Sequence, residues 1–232
     1  MNPDEYKSYA GFYDRLLTPL LRQLRVDIRT FINYRGYRNV IDICCGTGDQ
    51  LQMLERDGLH LVGIDSSSAM LERARNRCSD TVTFYRLDAA QMHPPAEPFD
   101  CALLVFSLHE KHATIRNQIF HNARRMVKQG GALIIADYSG AVEGTAASII
   151  GRLLLPIIER CAGTTHYHNY TDWMKNGALE GFFDRHRQPV DIISRPYTGT
   201  VLCAAVTVND TSEAQNRQFA LLHQSLQAQT IP

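Results

Sequence analysis

Apolar and polar positions follow two rhythms along this chain. Between Tyr9 and Tyr34 the apolar side chains fall at helical spacing (Leu16, Leu17, Leu20, Leu21, Leu24, Val26, Ile28, Phe31, Ile32), with Arg22, Arg25 and Arg29 between them. That pattern predicts a helix or a helix pair, ended by Gly36. Short β-branched runs then alternate with helical stretches. Val40 to Cys44 predicts a first strand and Asp49 to Arg56 a helix. Leu59 to Ile64 predicts a second strand ending at Asp65, and Ser66-Ser67-Ser68 supplies an N-cap for a helix over Ala69 to Arg77. Val82 to Leu87 ends at Asp88, and Cys101 to Phe106 makes a fourth strand. A helix from Thr114 to Val127 is expected to close at Gly130-Gly131, and Ala132 to Ala136 ends at Asp137. Continuous apolar strands belong to sheets buried on both faces, so the alternation predicts an α/β, doubly wound, mainly parallel sheet.

Beyond Asp137 the rhythm fails. Thr145 to Gly163 is an apolar helical stretch, and His166 to Trp173 is polar and aromatic. Val190 to Ser194 and Thr200 to Val208 flank a turn at Pro196 to Gly199, which predicts a C-terminal antiparallel hairpin at the sheet edge. The expected organisation is a helical N-terminal segment over 1–35, a main domain over 36–210 with 138–189 as an insertion, and a helical, Gln-rich tail over 211–232.

Gly46-x-Gly48, between a strand and a helix, lets backbone N–H groups approach a ligand at a helix N-terminus. A dinucleotide fingerprint needs a third glycine where Leu51 stands, so NAD is disfavoured, and no G-K-[ST] supports a P-loop. Read as Asp42-x-Cys44-x-Gly46-x-Gly48, with acidic residues at the later strand ends, the chain resembles the class I methyltransferases. The run Val-Ile-Asp-Ile-Cys-Cys-Gly-Thr-Gly-Asp over 40–49 is similar to the first motif of the quinone-biosynthesis, UbiE-like group, in which glycine or cysteine is common at the Cys44 position. The resemblance spans about residues 38–139 and implies a Rossmann-like fold with S-adenosyl-L-methionine as cofactor.

The resemblance also distributes the cofactor contacts. Asp65, 17 residues after Gly48, stands where a carboxylate accepts from both ribose hydroxyls. Asp88, with Ala89, is placed at the adenine amino group, while Ser66, Ala69 and Met70 border the adenine. Asp42, Cys44 and the Gly46 and Gly48 backbone meet the methionine end, with Asp49 reinforcing its amino group and Phe106 closing from the fourth strand. An aspartate after a strand is also an ordinary turn or capping residue; the ordered series carries the assignment.

Methyl transfer from a sulfonium is an in-line displacement, for which a protein supplies alignment, a dry site and, for a protonated acceptor, a base. His109, in the loop Val105 to His112 that the resemblance places beside the departing methyl, is the first candidate base; a loop histidine bonded to backbone is the alternative. His109-Glu110 with His112 falls one residue short of H-E-x-x-H, so a zinc-protease reading is rejected. His166, in His166-Tyr167-His168-Asn169-Tyr170, is a second catalytic candidate or a pocket wall. In an extended segment His166 and His168 share one face, but no third ligand lies within sequence reach, and no metal is expected. Tyr6, Tyr9, Phe12, Tyr13 and Asp14 suit an N-terminal lid whose aromatic faces favour a sulfonium, with Tyr13 touching cofactor and acceptor. Ile149, Ile150, Leu153, Leu154, Leu155, Ile157 and Ile158 suit a cover over an apolar acceptor, a homodimer contact or plain core.

Composition narrows the partners. Lys plus Arg (24) balances Asp plus Glu (24) in 232 residues, so no positive field recruits nucleic acid. Ala146 to Ile158 is interrupted by Ser148, Gly151, Arg152 and Pro156 and falls short of the ~20 residues of a membrane span, so no integral membrane segment is expected. An acidic N-terminus and six cysteines without a C-x-x-C pair fit a cytoplasmic protein with reduced thiols. The expected activity is methyl transfer to a small-molecule acceptor, apolar or aromatic. The competing expectations are a phospholipid-like amine as acceptor, or a sensor that binds the cofactor without turnover.

Overall fold

The computed structural model describes residues 21–141, 155–156, 159–160 and 163–209. The Tyr-rich N-terminal segment with Tyr13, most of the apolar run 145–163 and the tail 211–232 lie outside the described residues.

Helix α1 (Arg22–Arg35) buries Leu24, Ile28 and Ile32, one face at four-residue spacing, and leaves Arg22 and Arg35 exposed. Strand β1 (Asn39–Ile43), helix α2 (Asp49–Leu54), β2 (His60–Asp65), α3 (Ser68–Arg77), β3 (Val82–Arg86), β4 (Phe99–Val105), α4 (Ala113–Arg125) and β5 (Val127–Tyr138) come next along the chain. Helices α5 (Thr164–Lys175) and α6 (Ala178–Arg185), then β6 (Asp191–Ser194) and β7 (Val201–Thr207), complete the described chain. The strands form one seven-stranded sheet in the order β3-β2-β1-β4-β5-β7-β6. The β1, β2, β3, β4 and β5 pairings are parallel, and β7 joins β5 and β6 antiparallel as the expected edge hairpin. Strand order reverses between β1 and β4, which opens a crevice at their carboxyl ends.

The central strands are apolar because both faces are covered: Ile41 pairs with Val62 on one side and Ala102 on the other, all three buried. At the opposite edge of these strands, the Asp100 carboxylate accepts from the backbone N–H groups of Arg38 (2.6 Å) and Asn39 (3.0 Å) and pairs with Lys128 (2.7 Å). It thereby fixes how β1 lies against β4.

One expectation changes, and one open stretch is settled. Helix α4 stops at Arg125, capped by Met126, well before Gly130, because Val127 already pairs with Phe99. The register shift between Phe99 and Cys101 then absorbs the glycine segment inside β5. The stretch His166 to Trp173, to which the pattern assigns no element, is helical. It is held by Arg116, whose buried guanidinium reaches Asp172 (3.1 Å), the carbonyls of Lys111 and Asn169, and the face of Trp173. Among the described residues no helix is long and apolar enough to cross a membrane.

Candidate active site

The β1–α2 loop crosses the crevice in left-handed backbone conformations: φ is +61° at Cys44, +55° at Gly46 and +78° at Gly48. The two glycines do different work. A Cβ on Gly48 would stand 3.1 Å from the Ala74 Cβ and 3.2 Å from the Cys78 Sγ, so this glycine lets α2 lie against α3. A Cβ on Gly46 would meet nothing within 4 Å, which leaves an open backbone cradle at the strand ends. Cys44 keeps a side chain where the backbone favours glycine, and Phe106, at the end of β4, also has a positive φ (+50°). Both strained residues flank the point where the strand order reverses.

Asp65 sits between the loop and α3. Its Oδ2 accepts from the Gly46 N–H (3.0 Å) and its Oδ1 from the Ser67 N–H (2.8 Å), leaving lone pairs on both oxygens for a diol. Burial raises its pKa, opposed by those two hydrogen bonds. Asp42 lies buried beneath the loop, where burial and the neighbouring Asp65 charge push its carboxyl up to about 8. A cationic ligand group there would relieve both effects. Ser67 is the N-cap of α3, its Oγ accepting from Met70 N (3.3 Å); Ser66 is exposed and Met70 half-buried beside it. Asp88 is exposed and closes its own turn, accepting from Ala90 N (2.9 Å) and Gln91 Nε2 (3.1 Å), above a buried Ala89. Asp49 departs from expectation. Its carboxylate is paired with Arg25 (3.1 Å) and Arg77 (2.7 Å), so it ties α1 and α3 to α2 instead of facing a ligand amine.

A buried polar cluster lies at the ends of β4 and β5. His109 Nδ1 donates to Asp137 Oδ1 (2.8 Å), and the fully buried Asp137 also accepts from the backbone N–H groups of Leu108, His109 and Tyr138. His109 Nε2 faces Glu159 Oε2 at 3.7 Å. Glu159 Oε2 accepts from His166 Nε2 (2.5 Å), its Oε1 accepts from the Tyr138 hydroxyl (2.5 Å), and His166 Nδ1 lies 3.6 Å from Glu110. Glu110 in turn pairs with Lys111 (2.5 Å). Burial alone would lower the His109 pKa, but the charge and hydrogen bond of Asp137, with Glu159 and Glu110, raise it to about 9. Burial likewise opposes ionisation of Glu110, yet Lys111 and the two imidazoles bring it down to about 2. Phe106 meets Tyr138 edge-on at 5.4 Å, forming an aromatic wall between the glycine loop and this cluster.

The structure thus brings His109 and His166 together, with ring centroids 5.5 Å apart, and separates His168, which is exposed on another face of α5. Asp137, Glu159 and Glu110, the carboxylates that organise the histidines, are site residues that sequence reasoning misses. Their visible signals are an aspartate closing the fifth strand, one acid in an apolar run, and the residue next to His109.

Comparison with known proteins agrees with this geometry. Residues 40–131 match the family model described as a methyltransferase domain. The demethylmenaquinone methyltransferase of Tropheryma whipplei (strain Twist) is 34% identical over 102 residues, 43% of this chain and 41% of the relative. That of Thermotoga maritima is 29% identical over 152 residues, covering 64% and 58%. A ubiquinone/menaquinone biosynthesis C-methyltransferase UbiE from Methylococcus capsulatus is 28% identical over 149 residues, covering 58% of each. The chain spans about half the length of these curated relatives. An O-methyltransferase family protein from Burkholderia thailandensis shares the fold with a TM-score of 0.63 at 17% identity, over 85% of this chain and 59% of that one. The plantazolicin methyltransferase solved with SAH does so at 0.62 and 16%, over 88% and 90%. Residues 40–131 thus match a methyltransferase domain, and over that region the chain is similar to the S-adenosylmethionine-dependent methyltransferases of the UbiE-like group.

Proposed function

We propose that the chain transfers a methyl group from S-adenosylmethionine to a small hydroxylated aromatic acceptor of quinol type, with His109 as the base. The observation that carries this reading is the buried His109–Asp137 pair at the strand ends, beside the glycine crevice. Asp42, Asp65 and the Gly46 backbone hold the cofactor in this reading, with Met70, Asp88 and Ala89 along its adenine. The bound cofactor supplies an electrophilic methyl. Asp137 fixes the Nδ1–H tautomer of His109, so that Nε2, when free of its proton, accepts the proton of the acceptor hydroxyl. Loss of that proton places negative charge on the oxygen and, through the ring, on its ortho and para carbons. One requirement therefore serves transfer to oxygen or to carbon, and the relatives whose names specify quinone precursors or C-methylation support the aromatic class. Phe106, Tyr138 and Tyr170 offer edge contacts to such a ring, with Tyr138 and Tyr170 5.4 Å apart.

The test is incubation of the full chain with methyl-labelled S-adenosylmethionine and three acceptors in parallel: a prenylated hydroquinone, a simple phenol, and liposomes containing phosphatidylethanolamine. Label in the hydroquinone or phenol is expected. Label confined to the amine lipid overturns the acceptor class. Tight cofactor binding with no labelled product from any acceptor or from a small-molecule extract favours a sensor.

A further inference from the structure

We propose that His109, Glu159 and His166 form a binding site for a divalent transition-metal cation of the zinc class. Each offers one ligand atom, and the three atoms lie within 4.8 Å of one another in a buried setting. Two imidazoles and a carboxylate are a ligand set that suits zinc and its neighbours and leaves coordination positions open. Tetrahedral bonding at ~2.1 Å separates neighbouring donors by about 3.4 Å. The observed separations from Glu159 Oε2, 3.7 Å to His109 Nε2 and 2.5 Å to His166 Nε2, bracket that value.

The surroundings carry the argument further than the three ligands do. Metal-bound histidines usually donate their other nitrogen to a carboxylate, which fixes the ring and raises its basicity. Here Asp137 accepts from His109 Nδ1 at 2.8 Å, and Glu110 lies 3.6 Å from His166 Nδ1. Tyr138 holds the other oxygen of Glu159 at 2.5 Å. Every candidate ligand therefore has an outer partner that leaves the inward atom facing the common centre. A loaded site denies Nε2 of His109 to an acceptor proton. That last consequence, inhibition of methyl transfer by the metal, rests on the base role given to His109 above; the binding itself does not.

The experiment uses the full chain with Zn2+ in equilibrium dialysis and calorimetry, and with Co2+ in visible absorption. The expected result is one ion per chain and Co2+ d–d bands without thiolate charge transfer. Affinity should drop at least tenfold in Glu159→Gln and in His166→Gln, with thermal melting reporting that each variant folds. Thiolate bands, or equal affinity in both variants, would assign the ion to surface cysteines or stray histidines and overturn the site. Stoichiometric ion binding by the unaltered chain does not depend on any variant folding, and its absence would also overturn the proposal. Because the readout is metal and colour, it fails or succeeds independently of methyl transfer.

Discussion

At the scale of single residues, Asp65 and His109 test separate halves of the site. Asp65 is anchored by two backbone N–H groups and keeps lone pairs toward the crevice. Asp65→Ala should weaken S-adenosylmethionine binding at least tenfold, about 1.4 kcal/mol, in calorimetry. Unchanged affinity would remove Asp65 from the cofactor site. His109 carries its proton up to about pH 9, so as a base it is idle at neutral pH until it loses that proton. Turnover should rise with pH toward 9 and level off above it, and His109→Gln should abolish the rise while leaving cofactor affinity within a few-fold. A flat profile in the unaltered chain would exclude His109 as the base. Asp42, Asp65 and the glycines are legible in the sequence because their chemistry derives from position on a strand–loop–helix unit. The partners of His109 are not, since Asp137 and Glu159 lie 28 and 50 residues further along and meet it only through the sheet and the chain beyond β5.

At the scale of elements, the two loop glycines should separate experimentally. Gly48→Ala adds a Cβ about 3 Å from Ala74 and Cys78 at a positive φ, so it should cost about 2–4 kcal/mol of stability, read by urea unfolding. Gly46→Ala meets no atom, so its stability loss should stay near the ~1–2 kcal/mol of the left-handed backbone alone, while cofactor affinity falls. Equal stability losses at both positions would deny the division of labour between packing and ligand approach. Strands and helices of the parallel half follow periodicity, with boundary shifts of a residue or two except at β5, which starts at Val127 instead of Ala132. Periodicity assigns no element to His166 to Trp173, a polar and aromatic stretch without a helical stripe. What decides for helix there is tertiary: a buried Trp173 under the Arg116 guanidinium. Arg116→Met should cost several kcal/mol, because Asp172 and two carbonyls lose their shared donor.

For the whole molecule, buried charge sets how stability responds to pH. The His109 pKa is raised from 6.5 to about 9, so its contribution is complete below about 6.5 and is lost as pH climbs through 9. Glu110 and Glu159 are lowered, so theirs is complete above about 4.5 and is lost as pH falls, for Glu110 toward 2. Asp42, raised from 3.8 to about 8, costs stability progressively as pH rises from about 3.8, and that loss is complete above about 8. The melting temperature should therefore be highest near pH 4.5 and fall as pH rises toward 9. His109→Gln should flatten that fall, and an unaltered alkaline slope in the variant would mean that other groups govern it.

Lys111 pairs with Glu110, next to the histidines, and feels the charge of Asp65 in the crevice as well as that of Glu110. In the proposed reading with His109 as the base, a sulfonium held beside Asp65 should disfavour the extra proton on His109, and its discharge into a thioether should restore it. The result is an electrostatic clock that switches the proton acceptor on only while the methyl donor is loaded. A turnover profile whose inflection lies below the free-protein value when cofactor is saturating would record that clock.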